Sequence, residues 1–239
     1  MSSLHSTVKA MVFDTFGSVV DWRGSIVRDL TKWGNENGFQ ADWTVFAEQW
    51  RSMYQPSMEA CRSGKREFTV LDVLHRESLD VLIDKFGLSK MTEAQREHVN
   101  KVWHRLDGWP DSVGGLARLK SKYIIAPLSN GNISLLTDIA KYTGLPWDLN
   151  LSTEVFRCYK PQPESYLGVC HALRLDPSEV MMCAAHNNDL LAAKNCGLKT
   201  AFWPRPTEYG PAQTDNLVAT EAWDVVAKDI RDLATQMGV

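Results

Sequence analysis

The residues Val8-Lys9-Ala10-Met11-Val12-Phe13-Asp14-Thr15-Phe16-Gly17-Ser18 decide how the rest of this chain is read. A short apolar run stops at a carboxylate, and a hydroxyl residue, an aromatic, a glycine and a second hydroxyl residue follow. An apolar run of this length suits a strand buried on both faces, as in a parallel sheet. Such a strand delivers its last residue to the carboxyl edge of the sheet, where open α/β folds bind ligands. Asp14 is therefore the expected chemical centre.

From about residue 24 to residue 108 the periodicity is helical, with no convincing strand. Ile26, Val27, Leu30 and Trp33 mark a first helix, stopped between Gly34 and Gly38. A second starts near Thr44 and carries Trp50, Met53 and Met58, with Pro56 expected to bend or interrupt it. A third covers about Phe68 to Phe86 and closes at Gly87; a fourth follows Thr92, which stands in capping-box spacing to Gln95, and runs to about Leu106. Beyond Gly108 strands alternate with helices: Tyr123–Leu128, Leu149–Ser152, Val180–Cys183, Leu198–Trp203 and Trp223–Val226. Helices are expected at about Pro163–Leu173 and around Ile230, Leu233 and Met237. The fold expected is α/β, a doubly wound Rossmann-like parallel sheet core of residues 1–20 and 109–239 with an inserted helical cap domain, residues 21–108. The strand ends bearing Asp14, Ser129 and His186 with Asp189 should then converge beneath the insertion.

Composition narrows the classes. With 239 residues, 44% of them hydrophobic and 23% charged, the chain resembles an ordinary soluble globular protein. A net charge of -3 without a basic stripe argues against nucleic acid as a partner. Met1-Ser2-Ser3-Leu4-His5 does not open a signal sequence, and no run approaches the ~20 apolar residues of a membrane span, so no membrane association and a cytoplasmic location are expected. Five cysteines without close pairs or metal-binding spacing read as reduced. His75, His98 and His104 read as packing or solvated residues, Trp109-Pro110-Asp111 as a hinge or domain boundary, and Arg205-Pro206 with Tyr209-Gly210-Pro211 as a rigid surface loop that is free to border the cap.

Four motifs in order resemble the haloacid dehalogenase superfamily, specifically the type II, hydrolytic 2-haloacid dehalogenase branch. They are Phe13-Asp14-Thr15-Phe16-Gly17-Ser18, Leu128-Ser129-Asn130-Gly131, Tyr159-Lys160-Pro161 and Ala185-His186-Asn187-Asn188-Asp189. Most of that superfamily transfers phosphoryl groups with magnesium, which calls for an acid two places after the nucleophile and further carboxylates around the cation. Here those positions hold Phe16 and Ala185. Displacement of a halide needs neither, because a halide leaves unprotonated. The resemblance therefore implies an (S)-2-haloacid dehalogenase-like hydrolase acting on carbon-halide bonds, with no metal and no cofactor, that converts short 2-haloalkanoic acids to 2-hydroxy acids and halide through an aspartyl ester.

The same resemblance distributes roles. Asp14 is the nucleophile, Ser18 bonds it, Lys160 keeps it ionised, and Asp189 orients Lys160 and the hydrolytic water. Main-chain donors of Thr15 and Phe16 with the Ser129 hydroxyl receive the substrate carboxylate, and Arg51 and Asn130 receive the halide. Tyr166 matches a tyrosine near the site, though packing explains an aromatic there equally well. His186 departs from the usual asparagine. An imidazole can act as base for ester hydrolysis, donate to a reluctant halide, or serve as a structural histidine. Similar dehalogenases that cleave fluoroacetate share this form, which brings fluoride and haloacetates within the reading. Similar enzymes are often homodimers, but no stretch specifies an interface. A magnesium-dependent phosphatase of small metabolites and a non-catalytic binding module remain the competing classes.

Overall fold

The computed structural model describes residues 4–239. Met1, Ser2 and Ser3, part of the stretch read for a targeting signal and of the first core segment, lie outside the described residues. The opening run forms β1 (Ala10–Phe13), all four residues buried. The strands β4 (Ile124–Pro127), β5 (Val180–Ala184), β6 (Lys199–Phe202) and β7 (Val225–Val226) join it in a parallel sheet of order β4-β1-β5-β6-β7. Met11, Phe13, Met181 and Cys183 pack on one face, and Ala10, Val12, Met182 and Ala184 on the other. That double burial is why β1 and β5 read as continuous apolar runs rather than alternating ones.

Strand order places the site. The chain leaves β1, continues on one side at β4 and returns to the other side at β5, so β1 lies at the point where the winding reverses. Phe13 is in register with Pro127 on β4 and with Cys183 on β5. The residues that follow these three strand ends therefore share one crevice, as expected of open α/β sheets.

Two short strands, β2 (Val20–Asp21) and β3 (Asp107–Gly108), pair antiparallel where the chain enters and leaves the helical stretch. Helices α2 (Trp22–Asn37), α3 (Trp43–Arg62), α4 (Leu71–Lys85) and α5 (Glu93–Asn100) lie between them, after a short α1 (Leu4–Thr7) at the start of the described chain. Asp21 caps α2 by accepting the Gly24 N–H at 2.8 Å. The Thr92–Gln95 capping box is present at α5. Pro56 interrupts nothing: α3 runs through it. The fourth helix ends earlier than its periodicity suggested, at Asn100, and continues as a 3-10 turn over Lys101–His104. His104 in that turn is buried between two carboxylates, Asp138 Oδ2 at 2.7 Å and Asp72 Oδ1 at 2.9 Å, and His75 is buried against the Trp103 ring.

The helices α6 (Ser112–Lys120), α7 (Ile133–Thr143), α8 (Pro163–Leu173), α9 (Asn187–Asn195) and α10 (Ile230–Gln236) complete the layers around the sheet. Leu149–Ser152 is not a strand. The Asn150 amide donates to Ile133 O at 3.0 Å and the Ser152 hydroxyl to Gly131 O at 2.5 Å, side-chain bonds that tie the segment to the loop and helix after β4 in place of a strand ladder. Among the described residues no helix is long and apolar enough to cross a membrane.

In the loop after β6, Pro206, Tyr209 and Pro211 lie at the surface as expected, but Arg205 turns inward. The Arg205 guanidinium is buried and bidentate on Asp111, at 2.7 and 2.8 Å, while its Nε–H donates to Ser18 O at 3.0 Å. One side chain thus ties the hinge turn to the loop that follows Asp14. Arg205→Met leaves the Asp111 carboxylate buried without its cation, and we expect it to destabilise the protein by about 3–5 kcal/mol, read as a lower urea midpoint.

Candidate active site

The Asp14 N–H donates to Cys183 O at 3.0 Å, carrying the ladder one residue past β1 and fixing the carboxylate at the crevice. The chain then turns through Gly17, at φ +84°, and Val19 and Val20 both donate to Thr15 O. The turn brings Ser18 back beneath Asp14. Its hydroxyl donates to Asp14 Oδ2 at 2.7 Å and accepts the Ala185 N–H at 2.9 Å, linking the first and fourth motifs.

Lys160 enters from the loop before α8. Its ammonium donates to Asp14 Oδ1 at 2.9 Å and to Asp189 Oδ2 at 2.6 Å, and its backbone N–H donates to Asn130 Oδ1 at 2.9 Å. The Tyr166 hydroxyl donates to Asp189 Oδ1 at 2.5 Å, so both Asp189 oxygens are engaged. His186 stands on the other side, with Nδ1 2.9 Å from Asp14 Oδ2 and Nε2 2.8 Å from Glu208 Oε2. Among the described residues Asp14 Oδ2 has two side-chain partners and Oδ1 has one.

Burial alone would push the Asp14 carboxyl up. The Lys160 ammonium and His186 outweigh it and hold Asp14 well below the usual carboxylate range. Burial likewise works against the charge on Lys160 and on His186. Asp14 and Asp189 overcome it at Lys160, and Glu208 and Asp14 overcome it at His186, so both are raised. At rest Asp14 is an ionised carboxylate between the Lys160 ammonium and the His186 ring, both of whose nitrogens face carboxylates.

A cavity of about 520 Å³ opens over these groups, lined by Asp14, Phe16, Arg51, Tyr54, Asn130, Lys160, His186 and Asp189, and by Tyr209, Asp215, Asn216 and Thr220 from the loop after β6. Arg51 reaches it from α3. Its guanidinium lies 4.2 Å from the Tyr54 ring centre and 5.4 Å from that of Trp22. Burial opposes its charge, but Tyr209, Tyr54 and Glu208 more than compensate. Nη1 is buried without a hydrogen-bond partner among the described residues. A buried charged donor left open at a cavity wall favours an anion there.

The donor set does not fit a magnesium ion. A hard cation needs several free oxygens. Here the Lys160 ammonium bridges Asp14 to Asp189, and Tyr166 takes the remaining Asp189 oxygen. Phe16, where a phosphatase holds its second acid, packs edge-on against Tyr54 and Trp103, with ring centres 6.2 and 5.7 Å away.

Residues 8–197 match the family model of the haloacid dehalogenase-like hydrolases. The chain belongs to that hydrolase family. The solved structure of a defluorinating L-2-haloacid dehalogenase superposes on this hydrolase with a TM-score of 0.95 at 48% identity, covering 97% of this chain and 96% of that one. Another L-2-haloacid dehalogenase superposes with a TM-score of 0.94 at 45% identity, covering 96% and 98%. The (S)-2-haloacid dehalogenase 4A of Burkholderia cepacia is 27% identical over 247 residues, 95% of this chain and 99% of that protein.

In this hydrolase Asp14, Phe16, Arg51, Asn130, Lys160, His186 and Asp189 share one cavity wall. Ser18 and Tyr166 stand behind it, bonded to Asp14 and Asp189. The Ser129 hydroxyl accepts the Gly131 N–H at 3.2 Å, and the Thr15 hydroxyl is buried without a partner among the described residues. Asn187 anchors the loop beyond β6: its Oδ1 accepts the Thr220 N–H and the Trp223 Nε1–H, each at 3.0 Å. Sequence reasoning missed Glu208, Tyr54 and Tyr209. Glu208 is a single acid in a Pro- and Gly-rich loop, with no periodicity or motif spacing to single it out.

Proposed function

We propose that this hydrolase cleaves the carbon-halogen bond of short 2-haloalkanoic acids, haloacetates and fluoroacetate included, by a metal-independent route through an ester on Asp14. The observation that carries this reading is the pairing of an ionised, buried Asp14 with the open guanidinium donor of Arg51 across the same cavity. Oδ1 is the attacking oxygen, because Oδ2 is held by both Ser18 and His186. It bonds to the halogen-bearing carbon as the carbon-halogen bond breaks, and the halide departs toward Arg51 and Asn130. Main-chain donors at Thr15 and Phe16 with Ser129 take the substrate carboxylate. Attack from behind inverts the carbon, so an (S)-substrate gives an (R)-2-hydroxy acid. Water then adds to the ester and regenerates Asp14. In this reading residues 21–108 act as a cap that lowers Arg51 onto a core of residues 1–20 and 109–239, an arrangement supported by the β2–β3 pair at its two crossings.

The test is halide release from chloroacetate, bromoacetate and fluoroacetate in the presence of a chelator. Catalytic release from at least one is expected, and release from none sinks the proposal. Phosphate release from an aryl phosphate with added magnesium, in place of halide release, would restore the phosphatase reading.

A further inference from the structure

Glu208 belongs to none of the four motifs, yet its side chain is 1% exposed. Oε1 accepts the Trp22 Nε1–H at 3.1 Å, and Oε2 faces His186 Nε2 at 2.8 Å. Its seat exists because residue 17 is glycine: a Cβ at Gly17 would lie 2.0 Å from Oε1. The turn after the nucleophile and the loop after β6 are therefore shaped around one another. A buried carboxylate is stable only when paired and hydrogen-bonded, and the cation that meets this one is the imidazolium touching the nucleophile.

We propose that Glu208 is a positioning residue for the ester-hydrolysis half of the reaction, holding His186 as a base that is blocked while Asp14 is a free carboxylate and released once Asp14 is esterified. This rests on the dehalogenase reading and deepens it. Both ring nitrogens are engaged in the resting site, one by Asp14 and one by Glu208, so His186 has no free N–H for a departing halide. Alkylation changes that. When Asp14 Oδ1 takes the substrate carbon and the halide leaves, the negative charge against Nδ1 disappears.

The imidazolium then yields its Nδ1 proton to solvent, the one proton that the overall reaction releases. Glu208 keeps the Nε2–H, which leaves the Nδ1 lone pair facing the ester. Water adds to the Asp14 carbonyl carbon as Nδ1 takes its proton. The tetrahedral intermediate then expels the alkoxide of the product, which collects the proton left on the Asp14 carboxyl. Asp14 is again a carboxylate and His186 again an imidazolium. Around the ring stand Asp14 from the end of β1 and Glu208 from the loop after β6, with Lys160, Asp189, Arg51 and Tyr209 at the same cavity.

Glu208→Gln tests this with little change of shape. The glutamine oxygen can still accept from Trp22, but its amide donates to Nε2, which forces the proton onto Nδ1 and removes the base. With chloroacetate, full-length Glu208→Gln should release one chloride per enzyme in a burst close to the wild-type rate. Turnover should then fall on the order of 10²–10⁴-fold, the range of a general base. Intact-mass spectrometry should show carboxymethylated Asp14 accumulating, and Glu208→Asp should restore part of the turnover. Equal losses in burst and steady state without the adduct, or wild-type turnover, would overturn the proposal.

Wild-type protein supplies a second arm that needs no variant to fold. After one turnover, decay of its adduct should quicken with pH through one ionisation between about pH 5 and about pH 9, and a flat profile overturns the relay. Should the wild type release no halide, the dehalogenase reading falls and the relay with it. Should it turn over while Glu208→Gln matches it, only the relay falls.

Discussion

Asp14→Asn is expected to lower halide release from any 2-haloacid by a factor on the order of 10⁴ or more, because the amide has no anionic lone pair to attack an sp3 carbon. The effect should fall on chemistry rather than on folding. Lys160 keeps Asp189 at 2.6 Å and His186 keeps Glu208 at 2.8 Å, so neither buried cation loses its last partner. We expect about 1–3 kcal/mol of stability to go with the lost charge-assisted bonds. Halide assays beside urea unfolding separate the two effects. The companion measurement on wild-type protein is one turnover in heavy-oxygen water. Label should enter the Asp14 carboxylate, since water attacks the ester at its carbonyl carbon; label confined to product on the first turnover would mean direct attack by water on the substrate.

Lys160→Met should produce the second largest loss and should also reduce stability. The ammonium is buried between Asp14 and Asp189, and its removal leaves two acids facing one another without the cation they share. Breaking a buried pair in this way costs about 3–5 kcal/mol, or a melting temperature lower by about 10 °C for a chain of this size. The pH dependence should change as well. In the wild type Asp14 is held below its ordinary value of 3.8, so its contribution to stability is present above that value and is lost as pH falls through the lower folded value. Without Lys160 one of the two cations that oppose burial is gone, so the Asp14 carboxyl rises from its depressed value while His186 still holds it down. As pH is lowered, the chloride burst of Lys160→Met should therefore begin to fall at a higher pH than that of the wild type, whose burst should be flat down to about pH 5. A wild-type burst profile in Lys160→Met would remove Lys160 from its assigned role.

The parts of the fold that were legible share one property: their signal is local. An apolar run ending in Asp14 needs only itself to be read as a buried strand, and the Thr92–Gln95 cap is set by a spacing of three residues. Leu149–Ser152 misled for the same reason. Its composition suits a strand, but the bonds from Asn150 and Ser152 to the loop and helix beyond Ser129 capture it instead. The helical stretch was legible as helices, although the sharing of its aromatic core with one face of the sheet was not. Phe16, Trp22, Trp50 and Trp103 belong to the same packed cluster as Met11 and Phe13.

The sequence by itself determined that an acid, Asp14, ends the first strand and that Phe16 holds none two places later, because both follow from residue type at a fixed distance from a strand end; Lys160 was legible only through the motif resemblance. Only the tertiary structure decided what His186 faces. Its partners, Asp14 and Glu208, lie 172 and 22 residues away, and the second comes from a loop without regular structure. Strand order β4-β1-β5 brings the first to it, and the space left at Gly17 admits the other. A buried charge is set by everything packed around it, and packing between distant segments leaves no periodic trace along the chain.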